Sequence, residues 1–140
     1  MSLTEELTDL RQRGAESMPT RLKNALTDEI EDLTRSGVAD RSRGVGDLVA
    51  DFQLLDALGR SHLLSNYLAN GPVVLSFYRG GWCPFCTAEM KALERALPAI
   101  TNLGAVLVAI SPQSPDCTEE TCVDTGADFV VLSDTGNRVA

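Results

Sequence analysis

The most constraining part of the sequence is an apolar, β-branched segment that passes through two glycines into a pair of cysteines. Residues 73–78 predict a fully buried central strand. Gly80 and Gly81 then turn the chain into an amphipathic helical pattern that opens with Cys83 and Cys86. The two cysteines are therefore expected where a buried strand meets the N-terminus of a helix.

This placement predicts redox chemistry. Cysteines at this spacing share a helix face with Cα atoms about 5 to 6 Å apart, which is compatible with a disulfide. A helix N-terminus favours an anion and lowers a thiol pKa, and Arg79 adds a positive charge. We expect Cys83 to be the solvent-reachable attacking thiolate, shielded and oriented by Trp82, and Cys86 to resolve the mixed disulfide. Two inert buried cysteines would explain neither the tryptophan nor the glycine turn.

The segment 82–86, with the sequence WCPFC, resembles the active-site motif of the thioredoxin fold. Together with segments 46–52, 77–86, 110–113 and 131–134, it is similar to the peroxiredoxin-like branch of the alkyl hydroperoxide reductase and thiol-specific antioxidant (AhpC/TSA) family. The resemblance implies an α/β, thioredoxin-like fold with a central sheet flanked by helices. It also implies an antioxidant enzyme that reduces disulfides or hydroperoxides.

The resemblance leaves two assignments open for the attacking sulfur. Typical peroxiredoxins carry P-x-x-x-T-x-x-C, whose last cysteine attacks peroxide. On this pattern Arg79 takes the proline place, Cys83 the threonine place and Cys86 the peroxidatic place. The two departures favour dithiol chemistry on disulfides. With a peroxide as substrate, Cys86 would become a sulfenic acid that Cys83 condenses to a disulfide.

Beyond the motif, the pattern predicts two parts. Residues 1–43 form a helical extension and linker, whose second helix carries the apolar stripe Leu22, Leu26, Ile30 and Leu33. This extension is expected to pack on the rest of the chain or on a second subunit, which leaves a homodimer open. Residues 44–140 form the thioredoxin-like redox domain.

Within the redox domain, the order β, α, β, α, β predicts a parallel core. A short strand at 52–54 leads to a helix capped by Ser61, and further strands are predicted at 105–110 and 129–132. Thioredoxin-fold proteins continue with a hairpin and a helix, which nothing after Ala140 supplies. We therefore expect those C-terminal elements to be missing or to come from a partner chain.

Composition excludes several classes of function. The 140 residues carry a net charge of −8 and a sequence pI near 4.5, which disfavours nucleic acid and anionic membranes as partners. The sequence contains neither a bilayer-length apolar run nor a signal-peptide pattern, so a cytoplasmic location is expected. Because it also lacks a flavin or nicotinamide fingerprint, no cofactor is expected. The electrons would come from a thiol reductant such as a thioredoxin, a glutaredoxin or glutathione.

The remaining candidates compete with the dithiol. Cys117 and Cys122 could complete a four-thiolate zinc site with Cys83 and Cys86, but their spacing on a helix points them apart. We expect Cys122 to fill the core and Cys117 to be an exposed thiol, with an extra resolving function for Cys117 left open. His62 is expected to be a surface or hydrogen-bonded histidine. A non-catalytic binding or assembly module also remains open.

Overall fold

A computed structural model describes residues 2–140. The chain divides into two compact units, 4–50 and 51–140, which are described separately. The division after residue 43 that the sequence suggests stays a prediction. The helices are α1 Leu3–Ser17, α2 Thr20–Arg35, a short 3-10 helix Ala39–Arg41, α3 Leu64–Leu68, α4 Pro84–Asn102 and α5 Pro115–Thr125; the strands are β1 Gln53–Asp56, β2 Ser61–Leu63, β3 Val73–Phe77, β4 Val106–Ser111 and β5 Val130–Ser133.

The first unit contains the two predicted helices. Helix α2 ends at Arg35, and Gly37 follows with a φ of +65°, a left-handed conformation that glycine adopts without strain. The apolar stripe runs along α2, and its four side chains are 45% to 63% exposed. Neither helix reaches the length and apolarity that a bilayer span requires, and the same holds for every other helix within residues 2–140.

The second unit is a five-stranded sheet in the order β2-β1-β5-β4-β3. Strands β3, β4 and β5 are parallel, and α4 and α5 connect them, which confirms the predicted α/β core. Strand β1 joins β5 and β2 in antiparallel pairs. Strand β4 lies inside the sheet with residues 107–111 buried, as its uninterrupted apolar sequence predicts.

Strand β3 does not have the predicted central place. It lies at one edge of the sheet and is paired only with β4 among the described strands. Its side chains are also not fully buried. Val74 is 40% exposed and Phe77 is 48% exposed. An apolar run reports the character of a strand but not how many neighbours the strand has, so the sequence prediction was wrong here.

The predicted cap at Ser61 was also wrong. Ser61 lies in β2, and α3 begins after Leu63 without a side-chain cap. The β1–β2 hairpin is stabilised by Asp56, whose carboxylate accepts the backbone N–H groups of Leu58 and Arg60. Strand β2 has 3 residues, too few to display an alternating pattern, and for this reason the sequence does not predict it.

Candidate active site

The chain turns tightly between the end of β3 and the start of α4. Cys83 is the N-cap residue of α4 and Pro84 follows in the first turn, as the sequence predicts. Both glycines of the turn lie in tight surroundings. A Cβ on Gly80 would lie 2.5 Å from Nε1 of Trp82, and a Cβ on Gly81 would clash with Oγ1 of Thr121. A side chain at either position would therefore force Trp82 or Thr121 to move.

Arg79 contacts both cysteines. Its guanidinium donates to Sγ of Cys83 at 2.9 Å, and its backbone N–H donates to Sγ of Cys86 at 3.4 Å. Both cysteines are free thiols. The structure therefore joins three of the predicted site residues in one hydrogen-bonded group.

The environment of Cys83 favours its thiolate. Burial by itself would raise the pKa of Cys83, but hydrogen bonds from the backbone and thiol of Cys86 and the charge of Arg79 outweigh burial and lower the pKa. A thiol with a lowered pKa holds a larger fraction of the nucleophilic thiolate at neutral pH. The lowered pKa thus favours the anionic form of the Cys83 sulfur.

The predicted accessibility of Cys83 was wrong. Its exposed fraction is 0%, whereas that of Cys86 is 8%. The guanidinium of Arg79, an exposed residue, lies against the sulfur of Cys83. Spacing along a helix cannot show that a preceding side chain lies across the helix entrance.

Trp82 contacts Arg79. The guanidinium carbon of Arg79 lies 5.3 Å from the centre of the indole ring, a cation–π arrangement. Trp82 as a whole is 69% exposed. Trp82 therefore supports the residue that holds the Cys83 sulfur, and does so from the solvent side.

A model of the AhpC/TSA family matches residues 45–140. The chain belongs to the AhpC/TSA family. The match spans the site and all five strands of the sheet.

Relatives of this AhpC/TSA chain include two kinds of named redox protein. Thiol-disulfide oxidoreductase ResA of Geobacillus kaustophilus is 31% identical over 68% of this chain and 54% of that protein. Chloroplastic peroxiredoxin Q of Sedum lineare is 32% identical over 67% of this chain and 50% of that protein. The crystal structure of peroxidoxin BcpB from Mycobacterium tuberculosis has 34% identity and a TM-score of 0.64, covering 67% of this chain and 61% of that chain. The chain spans 44% to 62% of the length of its sequence relatives.

The other two cysteines of this AhpC/TSA chain, Cys122 and Cys117, differ in their burial. Cys83 and Cys86 share a buried cluster with Tyr78 and Met90, and Cys122 packs against this cluster, as expected of a core cysteine. Burial, followed by the charge of Glu119, raises the pKa of Cys122. Cys117 is exposed, as predicted.

No zinc site is formed in the part of the chain that the structure describes. Across residues 2–140, no three His, Cys, Asp or Glu side chains come together as metal ligands would. His62 has its own partners, because its ring nitrogens contact Tyr67 Oη and Asp56 Oδ2. The prediction of a hydrogen-bonded histidine is confirmed.

Sequence reasoning missed the side chains that hold the turn. Oε1 of Gln113 accepts the backbone N–H of Gly81 at 3.0 Å, and Oγ1 of Thr87 donates to the Gly81 carbonyl at 3.2 Å. Glu89, one turn after Cys86, accepts a hydrogen bond from Ser76. Gln113 belongs to the segment 110–113 that carried part of the family resemblance, so its position was a signal although its partner was not.

Proposed function

We propose that the protein is a thiol-dependent oxidoreductase in which Cys83 and Cys86 cycle between dithiol and disulfide, with Arg79 and Trp82 completing the site. The observation that carries this proposal is the contact between the Arg79 guanidinium and Sγ of Cys83 at 2.9 Å. A cation beside the sulfur does not stabilise an inert, neutral core cysteine, whereas it stabilises a nucleophilic thiolate. Relatives named as a thiol-disulfide oxidoreductase and as peroxiredoxins support the same chemistry.

Disulfide reduction would proceed in two exchanges. The Cys83 thiolate attacks one sulfur of the substrate disulfide, forms a mixed disulfide and releases the first substrate thiolate. Cys86 loses its proton and attacks the Cys83 sulfur, which releases the second substrate thiolate and leaves a Cys83–Cys86 disulfide. The substrate gains two electrons and the protein loses two. A thiol reductant such as a thioredoxin, a glutaredoxin or glutathione would restore the dithiol.

The burial of Cys83 makes Arg79 part of the access route. Because the guanidinium contacts the Cys83 sulfur, it would have to move when a substrate sulfur binds there, and Arg79 is exposed to solvent. A reducing compartment such as the cytoplasm, where thiol reductants are abundant, fits this proposal.

A second candidate is hydroperoxide reduction with Cys86 as the attacking residue. Cys86 is the more exposed of the two cysteines, and its Sγ accepts the Arg79 backbone N–H at 3.4 Å. Attack on one peroxide oxygen breaks the O–O bond, releases water or an alcohol and leaves a sulfenic acid. Cys83 would then displace water from that sulfenic acid and form the same disulfide.

Trapping experiments separate these assignments. Cys83→Ser and Cys86→Ser variants are treated with an insulin or glutathione disulfide and, separately, with hydrogen peroxide, and the adducts are located by mass spectrometry. We expect Cys86→Ser to retain a mixed disulfide on Cys83 and Cys83→Ser to retain none. A sulfenic acid on Cys86 in Cys83→Ser would assign the peroxide reaction instead.

The control is Cys117→Ser, which removes an exposed thiol outside the site and should leave turnover unchanged. If the wild-type protein turns over neither a disulfide nor a peroxide with a dithiol donor present, a non-catalytic binding module becomes the better description.

A further inference from the structure

We propose that Gln113 is a positioning residue for the reactive thiol: its side-chain carbonyl holds the Gly80–Gly81 turn so that Cys83 stays beneath Arg79. This inference rests on the thiol chemistry proposed above and adds a residue outside the cysteine-bearing loop. Gln113 follows β4, 30 positions after Cys83 in the chain.

The side-chain oxygen of Gln113 is hydrogen-bonded to the turn. Its Oε1 accepts the Gly81 N–H at 3.0 Å and also lies 3.2 Å from Oγ1 of Thr121 and 3.4 Å from Oγ of Ser111. The Thr121 proton is shared, because the same hydroxyl donates to the Cys117 carbonyl at 2.8 Å. The hydrogen bond from the Gly81 N–H is therefore the main one that Gln113 accepts. It requires the carboxamide of Gln113 to place its oxygen, and not its nitrogen, toward Gly81.

The side chain also fills the space that the turn leaves. A Cβ on Gly80 would lie 3.1 Å from the carboxamide carbon of Gln113. Thr121, which is 3% exposed, packs against Gly81 from α5. Gln113 thus connects the turn to the end of β4 and to α5, two rigid elements that carry no part of the dithiol.

Hydrogen bonds within the turn connect Gly81, which Gln113 holds, to Cys83. Gln113 accepts the Gly81 N–H, and the Thr87 hydroxyl lies 3.2 Å from both the Gly81 and the Cys83 carbonyl, to which it donates one shared proton. The Cys83 N–H in turn donates to the Gly80 carbonyl at 3.1 Å. Without Gln113 the turn gains freedom, and the Cys83 sulfur leaves the guanidinium of Arg79 for part of the time.

The test is the pH profile of Cys83 alkylation by iodoacetamide, followed peptide by peptide with mass spectrometry. Gln113→Met keeps the length of the side chain and removes the oxygen. We expect its Cys83 alkylation at neutral pH to fall by up to about five-fold, the most that one lost hydrogen bond would shift the equilibrium of the turn. The profile should shift to higher pH, with a plateau at alkaline pH that is no lower than in the wild type.

Hydrogen exchange of the Gly81 amide gives a second readout that does not depend on thiol chemistry. Protection of this amide should be lost in Gln113→Met and kept in Gln113→Glu, which retains an oxygen acceptor. Gln53→Met is the matched control, since Gln53 donates to Ser61 in the exposed β1–β2 hairpin and should change neither readout.

The outcomes are distinguishable. If Cys83 of the wild-type protein is no more reactive than exposed Cys117, the assignment of Cys83 as the attacking thiolate fails. If Cys83 is reactive and Gln113→Met leaves its pH profile unchanged, the positioning inference alone is overturned. If Gln113→Met raises alkylation of Cys83 and of core Cys122 together at every pH, Gln113 only stabilises the fold and the inference is equally overturned.

Discussion

Replacing Arg79 by methionine tests the central electrostatic argument. The substitution keeps the length of the side chain and removes the guanidinium that lies 2.9 Å from Sγ of Cys83. A hydrogen bond to a charged group contributes about 1.5 to 3 kcal/mol, and the lower value applies because solvent screens the exposed Arg79. Since 1.4 kcal/mol corresponds to a factor of ten, Cys83 alkylation at neutral pH should slow about ten-fold.

The direction of the pH effect follows from the pKa. Arg79 helps to hold the pKa of Cys83 below its ordinary value, so its loss moves the alkylation profile of Cys83 to higher pH. Added salt should produce a smaller change of the same sign in the wild type, because ions screen exposed charges. Iodoacetamide labelling with site-resolved mass spectrometry measures Cys83 separately from the other three cysteines.

Arg138→Met is the matched control, since it removes one exposed positive charge from the same unit and should not alter the Cys83 profile. The reasoning would be refuted if Arg79→Met left Cys83 alkylation unchanged or accelerated it at neutral pH. An acceleration would show that Arg79 acts mainly as a cover over the sulfur, and that the stabilisation of the thiolate is negligible.

Three further predictions concern stability, each measured by urea unfolding. Gly81→Ala places a Cβ against Thr121 Oγ1 and should cost about 1 to 3 kcal/mol, whereas Gly14→Ala, with open space around it in α1, should be neutral or stabilising. Met90→Ala, at 1% exposure, should cost about 2 to 5 kcal/mol, and a cost below 1 kcal/mol would contradict its place in the core. Burial raises the pKa of Asp56, but hydrogen bonds from Arg60 and His62 outweigh it and lower the pKa to about 2 from 3.8. This lowered pKa contributes about 2 kcal/mol above pH 3.8, which is lost as the pH falls through about 2. In Asp56→Asn the free energy of unfolding should fall less steeply as the pH is lowered. If it falls as steeply as in the wild type, other carboxylates cause the acid dependence.

Much of the second unit could be predicted because its signals are local. The cysteine spacing, the glycines before it and Pro84 lie within a few residues of one another, and they defined the strand–turn–helix that carries the candidate site. The buried strand at 106–111 was equally readable, since a strand covered on both faces is apolar throughout.

By itself the sequence determined which segments are helices and strands in the parallel core, and that two thiols open a helix, because these properties depend on neighbours along the chain. Only the tertiary structure decided that β3 lies at an edge, that Arg79 lies against a buried Cys83 and that Gln113 holds the turn. Gln113 and Gly81 are 32 residues apart, and the pairing of such residues depends on how β4 and α5 pack beside the turn. No local pattern encodes that packing, so the side chains that tune the sulfur could be found only in three dimensions.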